Sequence, residues 1–374
     1  MLPTLPTYSV SAGGINKSNF QSVEKASKLS QKVTPEVSIN NVDPTQKASE
    51  SIANIAVAPV QKVAVMATSA VTVSDYTYSE NKDGTLTITG YKGTNTEISI
   101  PEKIDNKTVT TIDNNAFYNT KITKVTIPDS VTRIGNGAFS ECDSLQKIKI
   151  PNKVASIGDR TFYGCEVLSN ITVDAENPNF ASTEGVLFNK GKTTLITYPS
   201  GKTENEYVIP NTVTTIGDWA FNRCKALTSV DIPDSVTTIG DWAFYGCKAL
   251  TSVTIPDSVT EIGICAFNYC ESLTNALFLG DAPTKFGPSS VFSNTANNFE
   301  INYILEKKGW TSPSWKGYKA IPNTAPTLNG TKDIVITVGD SFNPMANVTA
   351  SDKEDGDLTK AIVVTSNLDT TKAG

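Results

Sequence analysis

A 23-residue unit recurs along the chain, and a period of that length admits few folds. Ile-Pro occurs at 100, 127, 150, 209, 232, 255 and 321, and Ile-Gly at 134, 157, 216, 239 and 262. Ala-Phe occurs at 116, 138, 220, 243 and 266, with Thr161-Phe162 in the same slot. Cysteine follows five of the phenylalanines by three residues, as Cys142, Cys165, Cys224, Cys247 and Cys270. Four features locked to one such period specify a solenoid, in which a unit buries its apolar side chains only by stacking on its neighbours.

The unit from Leu250 to Leu273 can be read residue by residue. Leu250-x-x-Val253-x-Ile255 alternates as a short strand does, with Val253 and Ile255 facing inward. Pro256 has no N–H for the ladder and ends it, and Asp257-Ser258 supplies turn chemistry. Val259 and Ile262 return to the interior. Gly263 is expected to allow a bend that a side chain would obstruct. Ala266-Phe267 drives an aromatic wedge into the core, Cys270 closes the coil and Leu273 begins the next. At about 4.8 Å per rung, about nine rungs make a slab roughly 45 Å long. The fold class expected is therefore mainly β, a solenoid of 23-residue repeats over residues 74–320.

The period breaks once, where Cys165 and Cys224 stand 59 residues apart. The interval holds Asn177-Pro178-Asn179-Phe180, Gly185-Val186-Leu187-Phe188-Asn189 and Thr194-Leu195-Ile196-Thr197-Tyr198-Pro199. It reads as a hairpin insert at about 174–206, with Tyr207-Val208-Ile209-Pro210 resuming the period. After Leu273 the pattern decays, and the aromatics of 276–320 (Trp310, Trp315 and Tyr318) are expected to cap the open end. Residues 321–326 read as a linker. Ile334 to Val338 and Ala361 to Val364 then fit the start of a β-sandwich. Residues 327–374 supply about half of the roughly 100 residues of an Ig-type sandwich, so that module is expected to be incomplete. Residues 1–73 hold two aromatics, Tyr8 and Phe20, and read as a flexible segment, with at most a frayed helix over 15–30. Val10-Ser11-Ala12 has the small residues of a signal-peptidase site but lacks the apolar and basic regions before it. Two readings stay open: an ordinary flexible start, or the remnant of a longer secretory signal at 1–12.

Composition then narrows the function classes. The chain has no histidine, which removes Ser-His-Asp and Cys-His catalysis and every histidine-containing metal site. Its 32 basic and 38 acidic residues include no basic block, so nucleic acid is a poor partner. No stretch of eighteen apolar residues occurs, so no membrane span is expected. No C-x-x-C pair occurs, which argues against a zinc ribbon.

The unit Leu-x-x-Val-x-Ile-Pro-Asp-Ser-Val-Thr-x-Ile-Gly-x-x-Ala-Phe-x-x-Cys resembles the BspA-like leucine-rich repeat of bacterial surface proteins, over roughly residues 76–320. The insert resembles the longer variant of that repeat, and Gly309-Trp310 through Trp315 resembles its C-terminal ending. The first unit departs, with Ile112-Asp113 for Ile-Gly and Asn119-Thr120 where cysteine is expected, as suits an edge repeat. The segment from Val338 to Asp357 resembles the start of an Ig-like module of bacterial cell-surface proteins. The resemblance implies a secreted or wall-displayed protein that binds other macromolecules, in a family associated with adhesion to host matrix proteins and cells. No enzyme activity comes with the repeat.

Individual residues carry two readings each. The cysteine column could form disulfides or thiolate metal sites, but side chains stacked in register point parallel, which favours buried free thiols donating to carbonyls. Cys265 lies outside that column, in the slot of Trp219 and Trp242, and is expected to be more exposed. Trp219 and Trp242, one repeat apart, could stack as a binding platform or pack over the convex turn. The outward strand positions, among them Thr228, Ser229, Asp231, Thr251, Ser252 and Thr254, form a polar face suited to protein recognition and equally to solubility. Asp352, Glu354, Asp355 and Asp357 could gather Ca²⁺ but lack EF-hand spacing, so a solvated acidic turn is the competing reading. No other metal and no cofactor is expected.

The function expected is non-catalytic: an extracellular or cell-wall binding protein, an adhesin, whose partners are extracellular proteins or cell-surface glycans. A structural spacer without a specific ligand is the first alternative. The binding region of a larger enzyme is the second. Oligomeric state is not legible from these residues.

Overall fold

In a computed structural model the described residues are 72–288 and 290–323, with the backbone of 327–329, 349–352 and 356–357. The expectations for residues 1–71, and for the strands at 334–338 and 361–364, lie outside them. Apart from a single turn of 3-10 helix at Val73–Asp75, the regular elements among the described residues are strands.

Each coil has three sides. The Ile-Pro segments form the first, as parallel strands such as Lys147–Ile150 and Asn170–Val173, in register from Lys147 against Asn170 to Ile150 against Val173. The Ile-Gly dipeptides form the second, as two-residue strands such as Thr215–Ile216, Thr238–Ile239 and Glu261–Ile262, also parallel. The Ala-Phe turns form the third, where Phe221 N donates to Ala243 O at 2.7 Å and Phe244 N to Ala266 O at 2.7 Å. Strand alternation and the period together send one apolar set inward. Val253, Ile255, Val259, Ile262, Phe267, Cys270 and Leu273 are all buried.

The phenylalanines stack into a ring ladder down the axis. Phe221–Phe244 and Phe244–Phe267 centroids are 4.7 and 4.9 Å apart, with planes within 8°. Beside it runs a thiol ladder, in which Cys142, Cys165 and Cys247 donate to Phe117, Phe139 and Phe221 carbonyls at 3.0 Å each. Cys270 donates to Phe244 O at 3.2 Å and Cys224 to Tyr198 O at 3.7 Å. All six cysteines are free. Burial pushes the thiols of Cys142, Cys165, Cys224 and Cys270 upward, away from the thiolate.

The Gly263 column acts by close approach. A Cβ on Gly263 would lie 2.5 Å from Asp241 N and 2.6 Å from Gly240 C. The left-handed backbone comes two residues later, at Trp219 (φ 59), Trp242 (φ 51) and Cys265 (φ 54). The glycine thus lets coils touch, and the turn falls on residues with side chains.

The ends differ from the sequence expectation. The unit with Asn119-Thr120 is internal, because Tyr91 stacks on Phe117 and Tyr76 tilts against Tyr91, from an antiparallel hairpin of Tyr76–Glu80 and Leu86–Tyr91. Thr120 takes the cysteine slot, with its hydroxyl 3.3 Å from Cys142 Sγ. Beyond Leu273 the stack continues through Asn275–Phe278, Glu300–Ile304 and Tyr318–Asn323, parallel throughout. Ile321-Pro322 therefore belongs to the last strand of the solenoid, and Phe278, Phe286, Phe292, Trp310 and Trp315 pack together inside it.

The insert divides the core in two. One apolar cluster runs from Tyr76 to Ile171, the other from Val186 to Ala320. The hairpin of Phe180–Thr183 and Val186–Asn189 stands between them. Leu187 joins the first cluster while Val186 and Phe188 join the second. All three sides are interrupted there. Neither Asn170–Val173 nor Ser156–Ile157 pairs with a later regular repeat strand, and the second side restarts at Thr194–Thr197. Tyr198 restarts the ring ladder, 5.1 Å from Phe221, and no ring contact joins it to Phe162 among the described residues.

Candidate functional site

The strand face and the tryptophans lie on different sides of the coil. Ser229 and Asp231 sit on one first-side strand and Ser252 and Thr254 on the next, with Thr228 and Thr251 each just ahead of its strand. The threonine hydroxyls there are engaged within the stack: Thr228 Oγ1 donates to Asn205 O at 3.0 Å and Thr251 Oγ1 to Thr228 O at 3.4 Å. Thr274 repeats the contact to Thr251 O at 3.2 Å. The face is polar, and part of its hydrogen-bonding capacity is directed to the neighbouring coil.

Trp219 and Trp242 stand on the third side. Their rings stack at 4.8 Å and 8°, and both are half-buried. The left-handed backbone at each turns the side chain out of the coil, and the 23-residue period brings the two into register. The Arg160 guanidinium lies 4.5 Å from the Trp219 centroid and 5.8 Å from that of Trp242. Tyr163 meets Trp219 edge-on at 5.3 Å, Tyr245 tilts against it at 5.9 Å, and Tyr269 continues the row 5.4 Å from Tyr245. Arg223 donates from Nη2 to the Tyr163 hydroxyl at 3.1 Å and faces Glu141 at 3.5 Å. Lys225 pairs with Glu166 at 2.8 Å. The result is a ridge of aromatic rings braced by arginines.

The ridge crosses the break. Arg160 and Tyr163 belong to the last coil of the first stack, Trp219 and Arg223 to the second. Beneath their junction lies a cavity of about 160 Å³ lined by Phe162, Tyr163, Tyr198, Ser200, Trp219 and Asn222, among others. Asn222 is 7% exposed, and neither its amide nitrogen nor its amide oxygen has a hydrogen-bond partner. The Tyr198 hydroxyl is buried and likewise unpartnered. Burial raises the Tyr198 phenol above its ordinary value. Asp218, on the cavity wall, is also raised, first by desolvation and then by its neighbours Asp241 and Asp159; its Oδ1 accepts from Asp241 N at 2.8 Å.

Sequence reasoning named two residues of the ridge and missed the rest. The signal was present in the columns. Arg160 occupies the slot of Trp219, and Tyr163 that of Tyr245, counted from the core phenylalanine. Tyr198 and Asn222 carry no such signal, since only the break makes them line a cavity. Cys265 is half-buried in the tryptophan slot, with Asn268 Nδ2 3.5 Å from its sulfur. Of the acidic cluster, Asp352 and Asp357 lie on antiparallel strands, while Glu354 and Asp355 fall outside the described residues.

Comparison with known proteins adds the following. The family profile described as "BspA type Leucine rich repeat region", in 6 copies, matches residues 110–204 and 199–307. That of "Bacterial surface protein, Ig-like domain" matches residues 326–374. No curated protein matches the chain. Among solved structures, a leucine-rich cell surface protein from Faecalibacterium prausnitzii is 24% identical, with 67% of this chain and 97% of that one covered and a TM-score of 0.37. A leucine-rich repeat protein from Eubacterium ventriosum is 27% identical, covering 62% and 76%, with a TM-score of 0.40. The pneumococcal vaccine antigen PcpA is 20% identical, covering 66% and 89%, with a TM-score of 0.44.

Proposed function

We propose that this chain, which belongs to the BspA-type leucine-rich repeat family, is a non-catalytic binding protein displayed at or released from the cell surface, and acts as an adhesin. Its partners are extracellular proteins or cell-surface glycans, held along the third side of the solenoid. The observation that carries this reading is the Trp219–Trp242 stack capped by Arg160. Tryptophan, tyrosine and arginine dominate the energetics of interfaces, because each covers much apolar area at little entropy cost or makes directed hydrogen bonds. The ridge presents all three on a rigid stack, which lowers the cost of ordering on binding. The threonine face offers no comparable anchor, and its internal hydroxyl ladder suits a load-bearing or solubilising role.

Immobilised extracellular-matrix proteins and a glycan array, probed with the full chain, test the reading. Saturable binding to at least one target is expected. Trp242→Ala should weaken it about thirtyfold, the equivalent of roughly 2 kcal/mol for an interface anchor, with the melting curve little changed. Absence of any saturable binding leaves the spacer alternative standing. Binding unchanged in Trp219→Ala and Trp242→Ala moves the contact to another face.

A further inference from the structure

We propose that Arg160, with the indole N–H groups of Trp219 and Trp242, takes a carboxylate of the partner, so that the ridge reads an acidic side chain of an extracellular protein. The assignment rests on the ridge being a recognition surface and adds what it recognises. Two contrasts within the molecule carry it. The first is between the two arginines set against rings. Arg223 lies 4.9 Å from the Tyr163 ring and has carboxylates to face, Glu141 at 3.5 Å and Glu166 at 3.8 Å. Arg160 is exposed, lies 4.5 Å from the Trp219 centroid, and has no carboxylate partner among the described residues. A guanidinium placed over a ring keeps its in-plane N–H fork, which matches a carboxylate with two parallel bonds.

The second contrast is between the tryptophans. Trp310 Nε1 donates to Gly280 O at 3.1 Å and Trp315 Nε1 to Gly309 O at 2.9 Å, within the C-terminal coils. The Nε1 groups of Trp219 and Trp242 have no acceptor among the described residues, and neither is sealed in the core. Indole and guanidinium nitrogens donate and do not accept. Three neighbouring donors left unmatched call for a group that only accepts, and an ionised carboxylate is such a group.

The surroundings favour a protein as its source. Trp219 is packed by Trp242, Arg160, Tyr163 and Tyr245, and Cys265 takes the slot beyond Trp242. A sugar ring stacks its C–H groups on an open indole face, whereas this ridge offers mostly ring edges. Asp159, Asp218 and Asp241 precede Arg160, Trp219 and Trp242 in their coils, and none is ion-paired among the described residues. Asp218 Oδ1 accepts from Asp241 N at 2.8 Å and Asp241 Oδ1 from Ile264 N at 2.7 Å, so these carboxylates serve the stack. A polyanion laid along the ridge would run beside them, like charge against like. A single acidic side chain has only to reach the Arg160 fork.

A peptide array probed with the full chain tests the assignment. Its probes are twelve-residue peptides of random sequence, printed in pairs that differ only in Glu or Gln at the centre, with heparin and sialyllactose as glycan arms. Among pairs that bind saturably, the Glu member is expected to bind at least tenfold more tightly, and more tightly than either glycan. Arg160→Gln should remove that preference. Equal binding of the two members, or no binding of either, overturns the proposal, and both are read on the unaltered chain. A preference that survives in folded Arg160→Gln overturns it too, as does tighter binding of heparin or sialyllactose. If binding to matrix proteins depends on Trp242 but not on Arg160, the carboxylate assignment fails and the ridge reading stands; if it depends on neither, both fail.

Discussion

Replacing Gly240 by alanine should open the contact between two coils. The added Cβ would sit 2.4 Å from Asp218 Oδ1, 2.7 Å from Asp218 N and 2.8 Å from Gly217 C. The carboxylate can rotate away, but the two backbone atoms cannot, so the coils must part by roughly half an ångström or more, an overpacking that costs about 1–3 kcal/mol. Parting also lengthens two bonds that hold these coils together. Gly240 N donates to Ile216 O at 2.8 Å and Asp241 N to Asp218 Oδ1 at 2.8 Å. At about 1 kcal/mol each, their weakening brings the expected loss to about 3–5 kcal/mol. Gly191→Ala is the control, because its Cβ meets only Thr193 side-chain atoms at 3.8 and 4.0 Å and should change stability by less than about 0.5 kcal/mol. Urea unfolding followed by far-UV circular dichroism measures both, with the slope checked for a change in cooperativity. Stability in a solenoid is a sum of neighbour terms, so hydrogen exchange should quicken around residues 215–244 and stay slow around 107–134. A Gly240→Ala protein within 1 kcal/mol of the parent (about a fivefold change in the folding constant), or a Gly191→Ala protein as badly damaged, would refute close approach as the reason for the glycine column.

Other outcomes follow from the same stack. Phe244→Ala removes a ring held between two others and should cost about 3–5 kcal/mol in a denaturant titration. An Ellman titration without reductant should find six thiols in the denatured chain and one, Cys265, reacting readily in the native chain; fewer than six after denaturation would show a disulfide. Alkaline stability should fall above about pH 10. Burial raises the phenols of Tyr76, Tyr198 and Tyr207 above the ordinary value of 10.0, so above that pH the unfolded chain ionises first and gains relative to the folded one. With no histidine in the chain, a melting series should show no titration step between pH 6 and about 8, where that residue would otherwise act.

The columns were legible in the sequence because the period enforces them. Once Val253, Ile262 and Phe267 are read as inward in one unit, their equivalents follow, and burial agrees except beside the break, where Ile157 and Tyr207 are only partly buried. The reason for the glycine was not legible. A bend and a close approach both ask for glycine, and only the stacked backbone distinguishes them. The ridge was half legible: Trp219 and Trp242 stand out by type, whereas Arg160, 59 residues before Trp219, is brought to it by the insert. The cavity was not legible at all. It is a defect in the repeat, and a reading that looks for recurrence registers the insert as a gap in the pattern and not as a wall. The last coils were misjudged for a related reason. Asn275–Phe278 and Glu300–Ile304 keep the parallel register with little of the Ile-Pro signature, since sheet pairing needs backbone and not the consensus residues.

The strand Val186–Asn189, with Leu187 in one apolar cluster and its two neighbours in the other, makes the solenoid two springs in series and not one rod. Pulled from its ends, a continuous stack would shed coils one after another from whichever end frays. Here each spring has its own hydrophobic interior, so tension should release chain length in two separate steps, with the shared strand and the Arg160–Trp219 clasp deciding which yields first.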